Sequence, residues 1–262
     1  MNIPFVNRNP FPNEVERLRL ILSTYQDGTG MLKQGARTLP GWRDFERSVA
    51  AAFGGKAQED KGIYDVLISS EREVVKIGIS CKMRGTLREV KKHEYATIEV
   101  SNASGEFWDS IKTRGLTQEN YHTNPALAGA VIIGVVESWH ESVGLEQKGD
   151  IDNEKSFYLT LQWDKRTGSY QLFQFPVDLP DHDELIWEVS GRRLIGRVDD
   201  HTLLEWYGLS GGQLKYYPFT RSATWQSDVF QLEPLPENLD YGIQLKAAAY
   251  FPELWGKSAE GL

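Results

Sequence analysis

The stretch IYDVLISSEREVVKIGISCK, residues 63–82, reads as two short β-strands joined by a turn. Ile63 to Ser69 is short and apolar, and Ser70-Glu71-Arg72-Glu73 is a polar turn. From Val74 to Lys82 the apolar residues alternate at Val75, Ile77 and Ile79, the period of a strand with one buried face. A hairpin of this kind brings Asp65, on the first strand, to the end of the second. Ser80 and Lys82 are two residues apart and share a face. Cys81 faces the other way and reads as a small core residue.

Upstream, residues 13–25 have helical spacing, with Val15, Leu18, Leu22 and Tyr25 on one side. Residues 27–41 read as a loop. A second helix runs from Gly41 to Phe53 and stops at Gly54-Gly55, and it carries Glu46. Downstream, residues 86–96 are charged. Residues 97–112 fit either a short strand followed by a helix or one helix throughout. The apolar run at 128–139 reads as a buried strand, too short to span a bilayer. Residues 156–163 and 169–175 form a hairpin around Lys165-Arg166-Thr167-Gly168. Beyond it the chain reads as strand and loop. A composition shift near 176–183 divides a core at 1–178 from a β-rich C-terminal lobe at 179–262. The expected fold is α/β, a mixed sheet flanked by helices with that lobe attached.

The chain has 262 residues, 40% of them hydrophobic, enough for a sizeable core. The formal net charge of −8 argues weakly against nucleic acid. It does not exclude a basic cleft on an acidic protein. Cys81 is the single cysteine, so no intramolecular disulfide can form, which fits a reducing cytosol. The N-terminus shows no long apolar stretch of a secretory signal, so the expected location is cytoplasmic and no membrane partner is expected. The histidines (93, 122, 140, 182 and 201) lack zinc-ligand spacing and read as structural or surface residues. Gly211-Gly212 matches neither the Walker nor the dinucleotide pattern.

Asp65, Ser80 and Lys82 put a carboxylate, a hydroxyl and an ammonium at one sheet edge. Phosphodiester hydrolysis needs such a set. A carboxylate holds Mg²⁺, a hard cation that favours oxygen donors. A lysine positions or deprotonates water and stabilises developing charge. Glu46 is a second carboxylate within reach of the same cleft. The plainer alternatives are a strand-end turn for Asp65, an ordinary charged strand end for Lys82 and a solvated helix face for Glu46.

Asp65, fourteen intervening residues and then Ser80-x-Lys82, with a glutamate-bearing helix upstream, resembles the PD-(D/E)XK nuclease superfamily, above all its type II restriction endonucleases. The resemblance covers roughly residues 41–112. Tyr64 replaces the nominal proline, and Ser80 replaces the second acid. Some members that cut CCGG-containing sites share an S-x-K motif and draw a glutamate from a downstream element. Here the candidates are Glu99, favoured because it enters an apolar segment, and Glu94. The resemblance implies a restriction-endonuclease-like core, Mg²⁺, double-stranded DNA as substrate and a homodimer. Asp65, Glu99 (or Glu94) would bind metal, Ser80 would support the site and Lys82 would assist water.

Two regions are candidates for DNA contact. Lys82 to Arg88, continuing to Lys91-Lys92, offers Arg84, Arg88 and Lys91 to the phosphate backbone. Trp206 to Tyr217, continuing to Arg221, offers Ser210, Gln213, Lys215 and Arg221, with a plain aromatic hairpin as the alternative. A modification-dependent nuclease would need an aromatic pocket for a flipped base, and Trp187, Trp206 and Trp225 are the expected source.

Overall fold

The computed structural model describes residues 8–35, 37–58, 62–69, 75–235 and 242–255. The expected turn Ser70–Glu73 and the strand start at Val74 lie outside the described residues. In chain order the elements are α1 (Pro12–Thr24), β1 (Leu32–Gln34), β2 (Arg37–Leu39), α2 (Trp42–Phe53), β3 (Lys56–Ala57), β4 (Val66–Ser69), β5 (Lys76–Arg84), α3 (Leu87–His93), β6 (Ile98–Ser101), α4 (Ser104–Thr113) and α5 (Pro125–Val143). They continue with β7 (Phe157–Asp164), β8 (Ser169–Pro176), β9 (Ile186–Ser190), β10 (Arg193–Val198), β11 (His201–Trp206), β12 (Leu214–Tyr216), β13 (Trp225–Gln226), β14 (Phe230–Gln231), α6 (Gly242–Tyr250) and α7 (Pro252–Trp255).

The protein is mixed α/β with two larger sheets. The first has the order β13-β8-β7-β5-β4-β3, with β14 also on β8. β5 and β7 run parallel and the other pairs are antiparallel, so this sheet is mixed. The second has the order β6-β12-β11-β10-β9 and is antiparallel throughout. The strands after residue 178 therefore join both sheets, β9–β12 through the pairing of β12 with β6, and β13–β14 through β8.

One core lies between α1, α2 and the Ile77, Ile79, Cys81 face of β5. A second fills the space between α4, α5 and the second sheet, around Phe107, Ile132 and Trp206. A third, with Tyr64, Ile98 and Tyr158, joins the two sheets. The α2 helix starts where the Asp44 carboxylate accepts hydrogen bonds from the backbone amides of Met31 and Gly41, both at 2.9 Å. It ends at Gly54, whose φ of 72° is the left-handed conformation that glycine adopts freely.

Three expectations are corrected or resolved. The apolar run at 128–139 is not a strand but the middle of α5. Asn124 caps that helix by accepting from the Leu127 amide, and Pro125 occupies its first turn. Ala128, Gly129, Ile132, Ile133 and Val136 are buried at helical spacing, and 19 residues exceed an ordinary strand. Among the described residues, no helix is long and apolar enough to cross a membrane. Residues 97–112 resolve as strand β6 followed by helix α4. The C-terminal segment is not strand and loop throughout, because α6 and α7 end the described chain.

Candidate active site

Asp65 stands immediately before β4, and its backbone amide donates to the Ile79 carbonyl at 3.0 Å, which continues the ladder to β5. The neighbouring residue explains its placement. Tyr64 is buried, its ring covers Gly78, and its hydroxyl donates to Asn153 at 2.9 Å. A Cβ at Gly78 would lie 2.3 Å from that ring, so only glycine admits the approach.

Three groups converge on one oxygen of Asp65. Oδ2 accepts from the Cys81 backbone amide at 2.7 Å, from Lys82 Nζ at 3.3 Å and from Ser80 Oγ at 3.4 Å. Among the described residues Oδ1 has no hydrogen-bond partner. Ser80 and Lys82 lie on the face of β5 opposite Cys81, which is buried in the α2 core. Burial pushes the Cys81 thiol pKa well above its ordinary value, with Asp65 adding to the shift, so it is no nucleophile.

Glu46 reaches the same cleft from α2. It is only 9% exposed, and its carboxylate makes no hydrogen bond or ion pair among the described residues. Burial, followed by the charge of Asp65, raises its pKa to about 7, while Lys82, Arg43 and Arg47 oppose the shift. Two carboxylates with free oxygens thus face one cleft. This donor set fits a hard divalent cation such as Mg²⁺.

The cleft has a volume of about 460 Å³ and is lined by Trp42, Glu46, Asp65, Lys82, Arg84 and Glu99, among others. Trp42 sits there 53% exposed. Glu99 is present, but Arg84 forms an ion pair with it, and Asn102 and Gln213 donate to its other oxygen at 2.8 and 3.3 Å. Glu94 is elsewhere. It caps α3 in the left-handed conformation, φ 59°, is exposed, and lines a separate hollow with Arg221 and Gln226.

The expected DNA contacts divide in the same way. Arg84 lines the cleft, and Gln213 touches Glu99 beside it. Lys215 lies across from Glu99 on β12, 4.4 Å from the centre of the Tyr207 ring. Arg88, Lys91, Ser210 and Arg221 are exposed and do not line the cleft. Residues 207–213 form a turn through Gly211 and Gly212, both with positive φ. Trp206 is buried, Trp187 packs against Gly129 and Gly196, and Trp225 packs on the first core, so these three form no aromatic pocket.

A second hollow of about 430 Å³ shares Asp65, Lys82, Val100 and Ser101 with the first. It adds Ser80, Glu106, Trp139, His140 and Tyr158, four of which the sequence had not marked. Tyr158 is the residue of β7 opposite Ser80. Val136, Trp139 and His140 share one face of α5 only because that segment is helical. A strand would have sent Trp139 and His140 to opposite sides. A helical reading of 125–143 was the signal that would have found them.

The described residues hold one compact group of metal-ligand type, Asp181, His182 and Asp183, with ligand atoms within 4.8 Å of one another. It lines neither hollow. Its contacts account for it, since Asp181 accepts from the Asp183 amide at 2.9 Å and His182 lies 3.0 Å from the Asp183 carboxylate. Comparison of the chain with protein-family models, with curated proteins and with solved structures found no match for it.

Proposed function

We propose that this chain is a Mg²⁺-dependent endonuclease that hydrolyses phosphodiester bonds in double-stranded DNA, of the type II restriction class. One observation carries the proposal: the carboxylates of Asp65 and Glu46, each with an oxygen free of partners among the described residues, line a single cleft with Lys82. Asp65 and Glu46 would hold Mg²⁺, with Glu99 as the third carboxylate in the cleft. The bound ion would polarise the phosphate and acidify a bound water.

The chain's own groups supply the rest. Lys82 orients the attacking water and balances charge as it develops on the phosphate. Arg84 presents a guanidinium suited to a phosphate oxygen, which it can take in exchange for Glu99. The Cys81 amide and Ser80 hydroxyl hold Asp65 in position. By the same resemblance the chain acts as a homodimer, because two strands require two sites.

One observation favours a second reading, a DNA-binding module that does not cut. Ser80 stands where an acid is expected, and its hydroxyl is directed at Asp65. Plasmid incubated with the protein and Mg²⁺ separates the two. A discrete band pattern that EDTA, Asp65→Ala and Lys82→Ala each abolish is the expected result. Binding without cutting would select the second reading. Cleavage that survives both substitutions would overturn the site.

A further inference from the structure

Asp65 and Lys82 line both hollows, and the carboxylates that would hold the metal lie in the first. The second lies on the Ser80 face of the first sheet, closed by β6 and by the helices α4 and α5. Its contents point to a ligand.

Tyr158 is 2% exposed and lines this hollow. Its hydroxyl has no hydrogen-bond partner among the described residues. A buried tyrosine ordinarily finds a partner for its O–H group.

Trp139, His140 and Tyr158 give the hollow three ring side chains, and the first two are held in place. Trp139 Nε1 donates to Glu106 at 2.9 Å, which fixes both side chains. The His140 ring stacks on Tyr64, with centroids 5.6 Å apart. Burial lowers the His140 pKa, with Asp178 opposing and Lys82 pushing the same way. Ile63, Val100 and Val136 add apolar surface beside the polar Asp65, Ser80, Lys82 and Ser101.

We propose that the second hollow is a subsite for one unstacked nucleobase of the bound DNA, next to the phosphodiester held at Asp65 and Lys82. This rests on the nuclease reading above and adds to it how the substrate is held. A nucleobase matches the site in three respects. Its flat faces suit ring walls. Its polar edge places donors beside acceptors, as the Tyr158 hydroxyl and the Glu106 carboxylate require. At about 430 Å³ the hollow is within the range of roughly 300–1,000 Å³ typical of small-molecule sites. That is room for one nucleoside but not for a base pair with two backbones.

The test uses duplexes carrying 2-aminopurine at each nucleotide flanking the mapped cut, bound by the full chain with Ca²⁺ in place of Mg²⁺. One flanking position is expected to brighten severalfold as its base leaves the stack. Tyr158→Phe keeps the ring and its volume, and is expected to weaken binding by about three- to tenfold, the effect of one lost hydrogen bond. Trp139→Ala is expected to abolish the brightening. Plasmid cleavage without brightening at any flanking position would overturn the subsite and leave the nuclease standing. Brightening unchanged in both variants would place the base elsewhere and equally overturn it. A chain that neither binds nor cuts DNA would refute the nuclease reading and the subsite with it.

Discussion

Replacing Glu46 by glutamine tests the electrostatics of the cleft without any substrate. The Glu46 carboxyl is pushed from its ordinary 4.5 to about 7, first by burial and then by Asp65, against Lys82. At about 1.4 kcal/mol per tenfold change in proton affinity, ionised Glu46 costs the folded protein up to about 3 kcal/mol. The sign follows from which state binds the proton more tightly. Below the unfolded value Glu46 is protonated in both states and there is no penalty. As pH rises, the unfolded chain ionises first, so stability falls until the folded carboxyl has also ionised. Above about pH 7 the full penalty is present. Glutamine has the same shape and never ionises. In urea denaturation with EDTA present, Glu46→Gln and the parent should be nearly equal in stability near pH 4 and differ by up to about 3 kcal/mol near pH 8, with the variant more stable. Mg²⁺ should narrow the gap near pH 8 by stabilising the parent, because a cation supplies the charge partner that Glu46 lacks. A difference that stays constant across pH, or a parent that Mg²⁺ does not stabilise, would refute the picture of a buried, unpartnered carboxylate facing Asp65.

Two further substitutions probe the placement of the site. Gly78→Ala forces a Cβ to within 2.3 Å of the Tyr64 ring. It should cost about 1–3 kcal/mol of stability measured by denaturant unfolding and, by displacing the residue next to Asp65, lower cleavage as well. A neutral outcome would mean that Tyr64 does not set the position of Asp65. Glu94→Gly relieves a left-handed backbone, φ 59°, at the end of α3. It should raise stability by up to about 1 kcal/mol and leave cation binding by calorimetry and plasmid cleavage unchanged. Lost cleavage would return Glu94 to the metal site.

The β4–β5 hairpin and the two helices before it were legible in the sequence because each is a local pattern. Alternation at Val75, Ile77 and Ile79 announces a strand, and Gly54 announces a helix end. The convergence of Ser80 and Lys82 on Asp65 follows from a two-residue spacing and the antiparallel pairing of β4 with β5. The apolar run in α5 misled because valine and isoleucine dominate it, and its buried Gly129 serves a Trp187 ring that arrives from β9. No window on 125–143 contains that partner.

Residues 63–82 thus determined by themselves that a carboxylate, a hydroxyl and an ammonium share one strand end, since side-chain alternation and hairpin closure act within a few residues. Which glutamate stands free and which is engaged was decided only by the tertiary structure. Glu46 is left unpartnered by the way α2 packs on β4 and β5, and Glu99 meets Arg84 because β6 is brought to the end of β5. The pairing of β5 with β7 sets Tyr158 opposite Ser80 across 78 positions of chain. Such pairings reflect the burial of whole sheet faces against helices, a balance over many distant residues that no local spacing encodes.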